Sequence, residues 1–178
     1  MRRGVQVTLS SLRADRVTAD LLALLKAGGL QTLTIAADGT SDRIRRELHK
    51  GVTSEHLLHC AELARAAGMR RMRVYGMVGF SSETDEDIDA FGDLVRRMAK
   101  SVPIAVSVSP FVPKRDTPLS DHPFLGVREL RRRVARVRQS LGGSVLVRAT
   151  SPREAHMEWL LSHASGDEAV SLVMDGLI

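Results

Sequence analysis

The chain holds a single cysteine, Cys60, in 178 residues. A disulfide framework is therefore excluded, and the expected compartment is the reducing cytoplasm. Aromatic residues make up only 3% of the sequence, too few for a platform on which single-stranded nucleic acid stacks its bases. No uncharged apolar run reaches the roughly 18 residues of a membrane-spanning helix. The opening "MRRGVQVTLSS" has no signal-peptide core, because Gln6 and Thr8 interrupt its short apolar stretch. No His-Glu-x-x-His, Gly-x-Ser-x-Gly or Walker A pattern is present. His56 and His59 share one helix face without a metal-ligand pattern, and with His49, His122, His156 and His163 they are expected to face solvent.

What is there reads as a soluble globular domain. Hydrophobic residues are 43% and charged residues 26%, ordinary proportions. The length suits one full hydrophobic core. The net charge of +5 comes from 26 Lys and Arg against 21 Asp and Glu. It suits an anionic ligand or RNA, but equally an arginine-rich solvated surface.

Strand-like and helix-like segments alternate. Strands are predicted at residues 4–10, 31–37, 72–80, 103–111 and 142–149, the first, second and fourth alternating in side-chain character. Thr18 is predicted to cap a helix buried through Leu21, Leu22, Leu24 and Leu25 and ended by Gly28 and Gly29. A short basic helix runs through Ile44 and Leu48, and Thr53 caps a longer one ending near Gly68. Further helices start near Thr84 and Val127 and at "SPRE", where Ser151 caps and Pro152 takes the first position. Repeated βα units imply a parallel sheet.

Three strands pair an apolar face with a small or polar one: Gln6, Thr8, Ser10; Thr32, Thr34, Ala36; Ser107, Ser109. A parallel strand packed on both faces reads as almost continuous Val, Ile and Leu. The polar face is thus expected to line a lumen, with Ser107 and Ser109 in it. At the carboxyl end of the third predicted strand, "VYGMVGFSSETDEDI" places Gly76 and Gly79 where ligands gather in such sheets. A glycine there lets a flat group approach the backbone. Asp85, Glu86 and Asp87 suit the positive end of the next helix, whereas Glu83 precedes it in the loop.

"GMVGFSSETDED" resembles the fifth-strand motif Gly-x-Ile-x-Gly-x-x-Glu of radical S-adenosylmethionine enzymes, in its variant "MIGLPTETDED". "LTIAADGTSDRIRRELHKGVT" resembles the family's "LTIAPEAGSERLRRVINKGIT", and "VSVSPFVPKRDTP" its "VSVSPFVPKPHTP". "SPREAHMEWLLS" resembles the tail of the subgroup that carries a cobalamin-binding-type domain upstream. The resemblances cover nearly the whole chain in the family's order.

The resemblance implies an α/β fold, a partial TIM-type barrel of four or five parallel βα units with C-terminal helices. Residues 1–120 would form the C-terminal half of the barrel, and residues 121–178 a basic helix, strand and helical extension packed on it. It also implies S-adenosylmethionine as cofactor. The family's 4Fe–4S cluster sits on a Cys-x3-Cys-x2-Cys loop that this sequence does not carry, so a cluster is expected only with the missing N-terminal half. Cobalamin would belong to the longer enzyme. Gly76, Val78 and Gly79 would meet the adenine, with Val78 packing on it, and Glu83 would support the loop. Asp38, Ser41 and Arg43 match positions that contact the ribose and methionine parts, although the family's Pro-Glu is Ala37-Asp38 here and its Gly is Thr40. Arg13 lies at a strand's carboxyl end, where it could meet a carboxylate or phosphate.

Two functions follow as expectations. One is the C-terminal portion of a radical enzyme, without activity of its own and with its reaction class open between oxidoreductase and transferase. The other is a non-catalytic accessory or RNA-binding module. The helix with Arg128, Arg131, Arg132, Arg133, Arg136 and Arg138 invites the RNA reading. Its stripe of Leu130, Val134, Val137 and Leu141 favours a solvated face instead. Expected partners are the missing half, another chain that completes the barrel, or a second copy joined at an open sheet edge. No membrane is expected.

Overall fold

Leu33, Ile35 and Ala37 are buried while Thr32, Thr34, Ala36 and Asp38 are half-buried, the period-two pattern of strand β2 (Thr32–Asp38). The same alternation builds β3 (Arg71–Val78), and β4 (Ile104–Pro110) is buried more continuously. The computed structural model describes residues 9–174. β1 (Leu12–Arg13) and β5 (Leu146–Ala149) complete one sheet in the order β1-β2-β3-β4-β5, parallel throughout. Strand order equal to chain order, with right-handed crossovers, sends every connecting helix to one face of the sheet. This is the partial TIM-type barrel expected from the sequence.

The helices are α1 (Ala19–Ala27), α2 (Asp42–Glu47), α3 (Ser54–Ala66), α4 (Asp85–Ala99), α5 (Gly126–Leu141), α6 (Pro152–His163) and α7 (Gly166–Met174). The predicted caps form. Thr18, Thr53, Thr84 and Ser151 each accept a backbone N–H of the first helical turn, and so does Ser41 before α2. Local hydrogen bonding of this kind typically stabilises a helix by about 1 kcal/mol. The core joins Ile35, Val74 and Val106 of the sheet to Leu22, Leu57, Phe91 and Val137 of the helices.

Several expectations need correction. Residues 4–8 of the first predicted strand lie outside the described residues, Leu9 and Ser10 are irregular, and pairing starts at Leu12. Leu24 is 72% exposed, because only Leu22 and Leu25 fall under the sheet. The histidines do not all face water. His49, His56 and His59 are exposed as expected, and His56 accepts the Thr53 N–H in a capping box. Phe124, His156 and Trp159 pack their rings mutually, His163 packs on Trp159, and His122 meets Phe111 edge-on. The polar sheet face is not uniformly small either: β3 contributes Arg73 and Tyr75 to it. Among the described residues, no helix is long and apolar enough to cross a membrane.

Candidate functional site at the carboxyl rim of the sheet

Alternation along β3 puts Gly76 and Val78 on the same side as Met72 and Val74, toward the helices. Val78 is 1% exposed within the core. A Cβ on Gly76 would come 3.1 Å from Cζ of Phe91 on α4. Gly79 has φ +104°, and its Cβ would lie 2.5 Å from Cδ2 of Leu130 on α5. The two glycines let α4 and α5 approach the strand closely. The Val78 side chain, expected against an adenine, packs in the protein's own core.

Glu83 is a hub. Its Oε1 accepts from Thr40 Oγ1 at 2.6 Å, and its Oε2 accepts from the Gly79 N–H at 2.8 Å and from Arg133 at 2.9 Å. Arg133 also donates to the Phe80 carbonyl at 2.8 Å and to Glu129 at 2.9 Å. Burial pushes the Glu83 pKa up, and the hydrogen bonds from Thr40, Gly79 and Arg133 only partly offset that. One carboxylate thus ties the β2–α2 loop and the end of β3 to α5.

A second hub is Asp87. It accepts from Ser41 Oγ at 2.6 Å, from the Thr84 N–H at 2.9 Å, and from the Arg43 guanidinium. Burial opposes its ionisation, but hydrogen bonds from Arg43, Ser41 and Thr84 prevail and hold its pKa at about 2. Ser41 and Arg43 thus each donate to Asp87 of α4, while Ser41 also caps α2 and Arg43 also donates to the Ser82 carbonyl. Arg45, 1% exposed, binds the Gly39 carbonyl, Asp42 and Ser54 and so fixes the same loop. Neither the hub role of Asp87 nor the burial of Arg45 is legible in the sequence pattern, since both depend on partners that the fold brings together.

The open space lies on the other side of the rim. A cavity of about 430 Å³ runs from Leu48 and Lys50, after α2, past Met77 of β3 to Phe111, Lys114 and Leu119 beyond β4. That volume falls in the usual range of ligand pockets, about 300–1,000 Å³. Its position outside the carboxyl ends of parallel strands is where such folds bind ligands. Phe111 stacks on Phe80 with centroids 4.4 Å apart. Lys50 pairs with Asp38 at 3.6 Å, and Lys114 with Glu158 at 2.6 Å.

Asp38 sits at a bulge in β2 with φ +59°, and His49 beside the cavity has φ +52°. Non-glycine residues held in that region concentrate at functional sites. Arg13 donates to Asp15 and, at 3.0 Å, to the Lys50 carbonyl, so it borders this corner. Ser109 shares a hydrogen bond with Thr150 at 3.2 Å, and Ser107 lies in register between Tyr75 and Arg148. Met77 and Phe111 were missed in the sequence; the signal was that Met77 alternates with Val78 and so faces the opposite way.

Cys60 is completely buried on α3, and burial pushes its thiol up to about 12. Among the described residues no His, Cys, Asp and Glu group could hold a metal ion. The cavity, apolar at Met77 and Phe111, lined also by Glu47, Lys50 and Lys114 and bordered by Asp38 through its pair with Lys50, does fit a zwitterionic nucleoside-like cofactor.

Three comparisons bear on identity. The sequence pattern of the Radical SAM superfamily matches residues 2–95. The uncharacterized protein MJ0966 of Methanocaldococcus jannaschii is 36% identical over 115 residues, 64% of this chain. The chain spans only 25% of that relative's length. Coproporphyrinogen III oxidase (HemN) of Escherichia coli, described as a radical SAM enzyme, superposes with a TM-score of 0.55 at 15% identity. That match takes in 79% of this chain and 42% of the other.

Proposed function

The chain belongs to the radical SAM superfamily, and we propose that it supplies the S-adenosylmethionine side of a barrel whose cluster rests on cysteines this sequence does not carry. The observation behind the proposal is the cavity at the carboxyl rim, with an apolar floor at Met77 and Phe111 and with Lys50, Lys114 and Asp38 at its margin. In this family a reduced cluster supplies the electron that splits S-adenosylmethionine homolytically.

The residues of this chain bind and orient. Met77 and Phe111 exclude water from an adenine face. The Asp38 carboxylate accepts hydrogen bonds from ribose hydroxyls, and Lys50 or Lys114 meets the cofactor carboxylate. Glu83 and Asp87 act one layer back, holding the loops that carry these groups. The family match ends at residue 95, upstream of the tail on which the cobalamin expectation rests. That expectation is left without support.

The RNA reading loses ground. Arg132 pairs with Asp85 and Glu129, Arg133 with Glu83 and Glu129, and Arg136 with Asp89. Half of the arginines that suggested it are thus neutralised by acids of this chain.

Calorimetric titration with S-adenosylmethionine tests the proposal. Binding below ~1 mM, weakened about tenfold by Asp38→Ala or Met77→Glu, is expected. No binding at several times that concentration, or binding indifferent to both substitutions, overturns it.

A further inference from the structure

One wall of the rim cavity is a single loop. Val112, Lys114, Thr117, Pro118 and Leu119 line the cavity, and all belong to the connection between β4 and α5. The base of this loop is held firmly. Phe111 donates its N–H to the Val78 carbonyl at 2.7 Å, and His122 meets the Phe111 ring with centroids 6.0 Å apart. Pro113 is buried, and Leu119 packs on the cluster of Ile44, Phe80 and Phe111. Ends this close make a compact Ω-type loop.

The tip, residues 114–118, is exposed throughout. Thr117 Oγ1 donates to the Lys114 carbonyl at 2.8 Å, within the tip itself. Among the described residues, the ion pair of Lys114 with Glu158 of α6, at 2.6 Å, is what ties the tip to another element. Arg115 adds a longer-range attraction to Glu168 of α7. The two side chains of the ion pair are 53% and 51% exposed, so the link is weak and readily exchanged. Asp116, in the tip, holds φ +57°, and non-glycine residues in that region cluster at clamps and switches.

Lys114 has a place on either side of the loop. It lines the rim cavity, and it also lines an outer cavity of about 690 Å³ with Glu154, Met157, Glu158 and Leu161 of α6. Its ammonium now meets Glu158 on the outer side. On the inner side the one acid in the lining is Glu47, which already accepts from Ser82 at 2.6 Å and pairs with Arg43 at 3.7 Å. A carboxylate that draws Lys114 inward must therefore come with a ligand. Lys50 is placed differently: it pairs with Asp38, and its carbonyl is fixed by Arg13 at 3.0 Å. Lys114 is the ammonium that can travel.

We propose that residues 114–118 are a lid on the rim cavity, held back by Lys114 on Glu158 and closed when a ligand carboxylate takes Lys114 from that acid. The inference deepens the S-adenosylmethionine reading and rests on it, since that cofactor carries such a carboxylate. Exchange leaves the ammonium paired in both positions, so the two lie close in energy and the ligand decides between them. Closure brings Thr117 and Pro118 over the ligand with the ammonium and excludes water.

Two nucleosides separate the latch from the pocket: S-adenosylmethionine, and 5′-methylthioadenosine, which lacks the carboxylate. Both are titrated into the whole chain as wild type, Glu158→Gln, Lys114→Met, the double variant and Glu154→Gln. Glu158→Gln should bind S-adenosylmethionine about three- to tenfold more tightly, because the competent state is no longer held back. Lys114→Met should bind it about tenfold more weakly, and the double variant should match Lys114→Met. Glu154 lines the outer cavity without pairing Lys114, so Glu154→Gln should bind as wild type does. Methylthioadenosine should bind all five alike. Tm should hardly change, the pair being open to water.

Trypsin, cutting after Lys114 or Arg115, gives a second readout. Glu158→Gln should be cut faster than wild type without ligand. S-adenosylmethionine should protect both proteins, and methylthioadenosine neither. Equal gains in Glu158→Gln and Glu154→Gln would mean a general field effect and overturn the proposal. So would weaker methylthioadenosine binding in Lys114→Met, or cofactor binding that leaves the trypsin cut unprotected. If neither nucleoside binds the wild type, the cofactor reading beneath fails. If both bind it without regard to Lys114 and Glu158, the lid fails and the cofactor reading stands.

Discussion

Arg133 of α5 donates to Glu83 at 2.9 Å, joining side chains that are 8% and 0% exposed. The pair connects residues 50 apart in sequence and pins the loop after β3 to the helix after β4. It is the least solvated ion pair at the rim, and its partners also bond Thr40, Gly79, Phe80 and Glu129.

Breaking one side of that pair should be costly. Glu83→Ala leaves Arg133 facing an apolar site with only Glu129 and a carbonyl, and a loss of about 3–5 kcal/mol is expected. For a chain of this size that is a fall in Tm of roughly 6–20 °C. Calorimetry on Glu83→Ala, Arg133→Met and the double variant checks it. The double variant should lose less than the sum of the singles, because it leaves no charge stranded.

Acid stability should depend on Asp87. Its folded pKa is about 2, below the 3.8 of an ordinary aspartate. The stabilisation is therefore complete above pH ~4 and lost as pH falls toward 2. It amounts to roughly 2 kcal/mol at neutral pH. Asp87→Asn should be less stable at pH 7, and its stability should fall less steeply between pH ~4 and 2. Glu83 works against this trend: its raised pKa means that ionising it costs stability as pH climbs through the carboxylate range. Urea melts across that window, run on wild type and both amide variants, separate the two groups.

Gly79→Ala should destabilise more than Gly76→Ala. The first meets both a left-handed backbone at φ +104° and Leu130 Cδ2 at 2.5 Å, whereas the second meets only Phe91 at 3.1 Å. Backbone strain of this kind costs of order 1–3 kcal/mol. Adding Leu130→Ala to Gly79→Ala should relieve the clash and leave the strain. Denaturant midpoints for wild type and the three variants give the comparison.

Cys60 should stay silent toward thiol reagents in the native protein at pH 8, because the thiolate is the reactive form and burial pushes the pKa up to about 12. Reaction with an aromatic disulfide should appear only with unfolding. Anaerobic incubation with iron and sulfide should leave the chain without the charge-transfer absorption of a cluster. Rapid labelling of the folded chain would contradict the buried placement.

The sequence made the helices legible because their signals are short in range. Thr18, Thr53, Thr84 and Ser151 act on groups two or three residues away, and each caps where its pattern predicts. β2 and β4 were legible from alternation and length. The roles at the rim were not, since they depend on partners far along the chain: Thr40 reaches Glu83 across 43 residues, and Ser41 reaches Asp87 across 46. Gly76 and Gly79 carry a recognisable spacing, but their neighbours Phe91 and Leu130 come from two later helices. Leu24 was misread because a leucine-rich helix gives no contrast between its faces. Met77 and Phe111 look like ordinary core residues until the loops that flank them are placed.

Strand order that follows chain order has a further consequence. Each strand pairs only with those immediately before and after it. Cohesion is thus a succession of nearest-neighbour seams, as in repeat proteins, and no later segment has to thread between earlier ones. Such a sheet can lengthen or shorten by one βα increment at either margin while every interior seam stays as it was. The ion pair between Glu83 and Arg133 locks two such increments together, so the protein is modular in outline and cooperative at its rim.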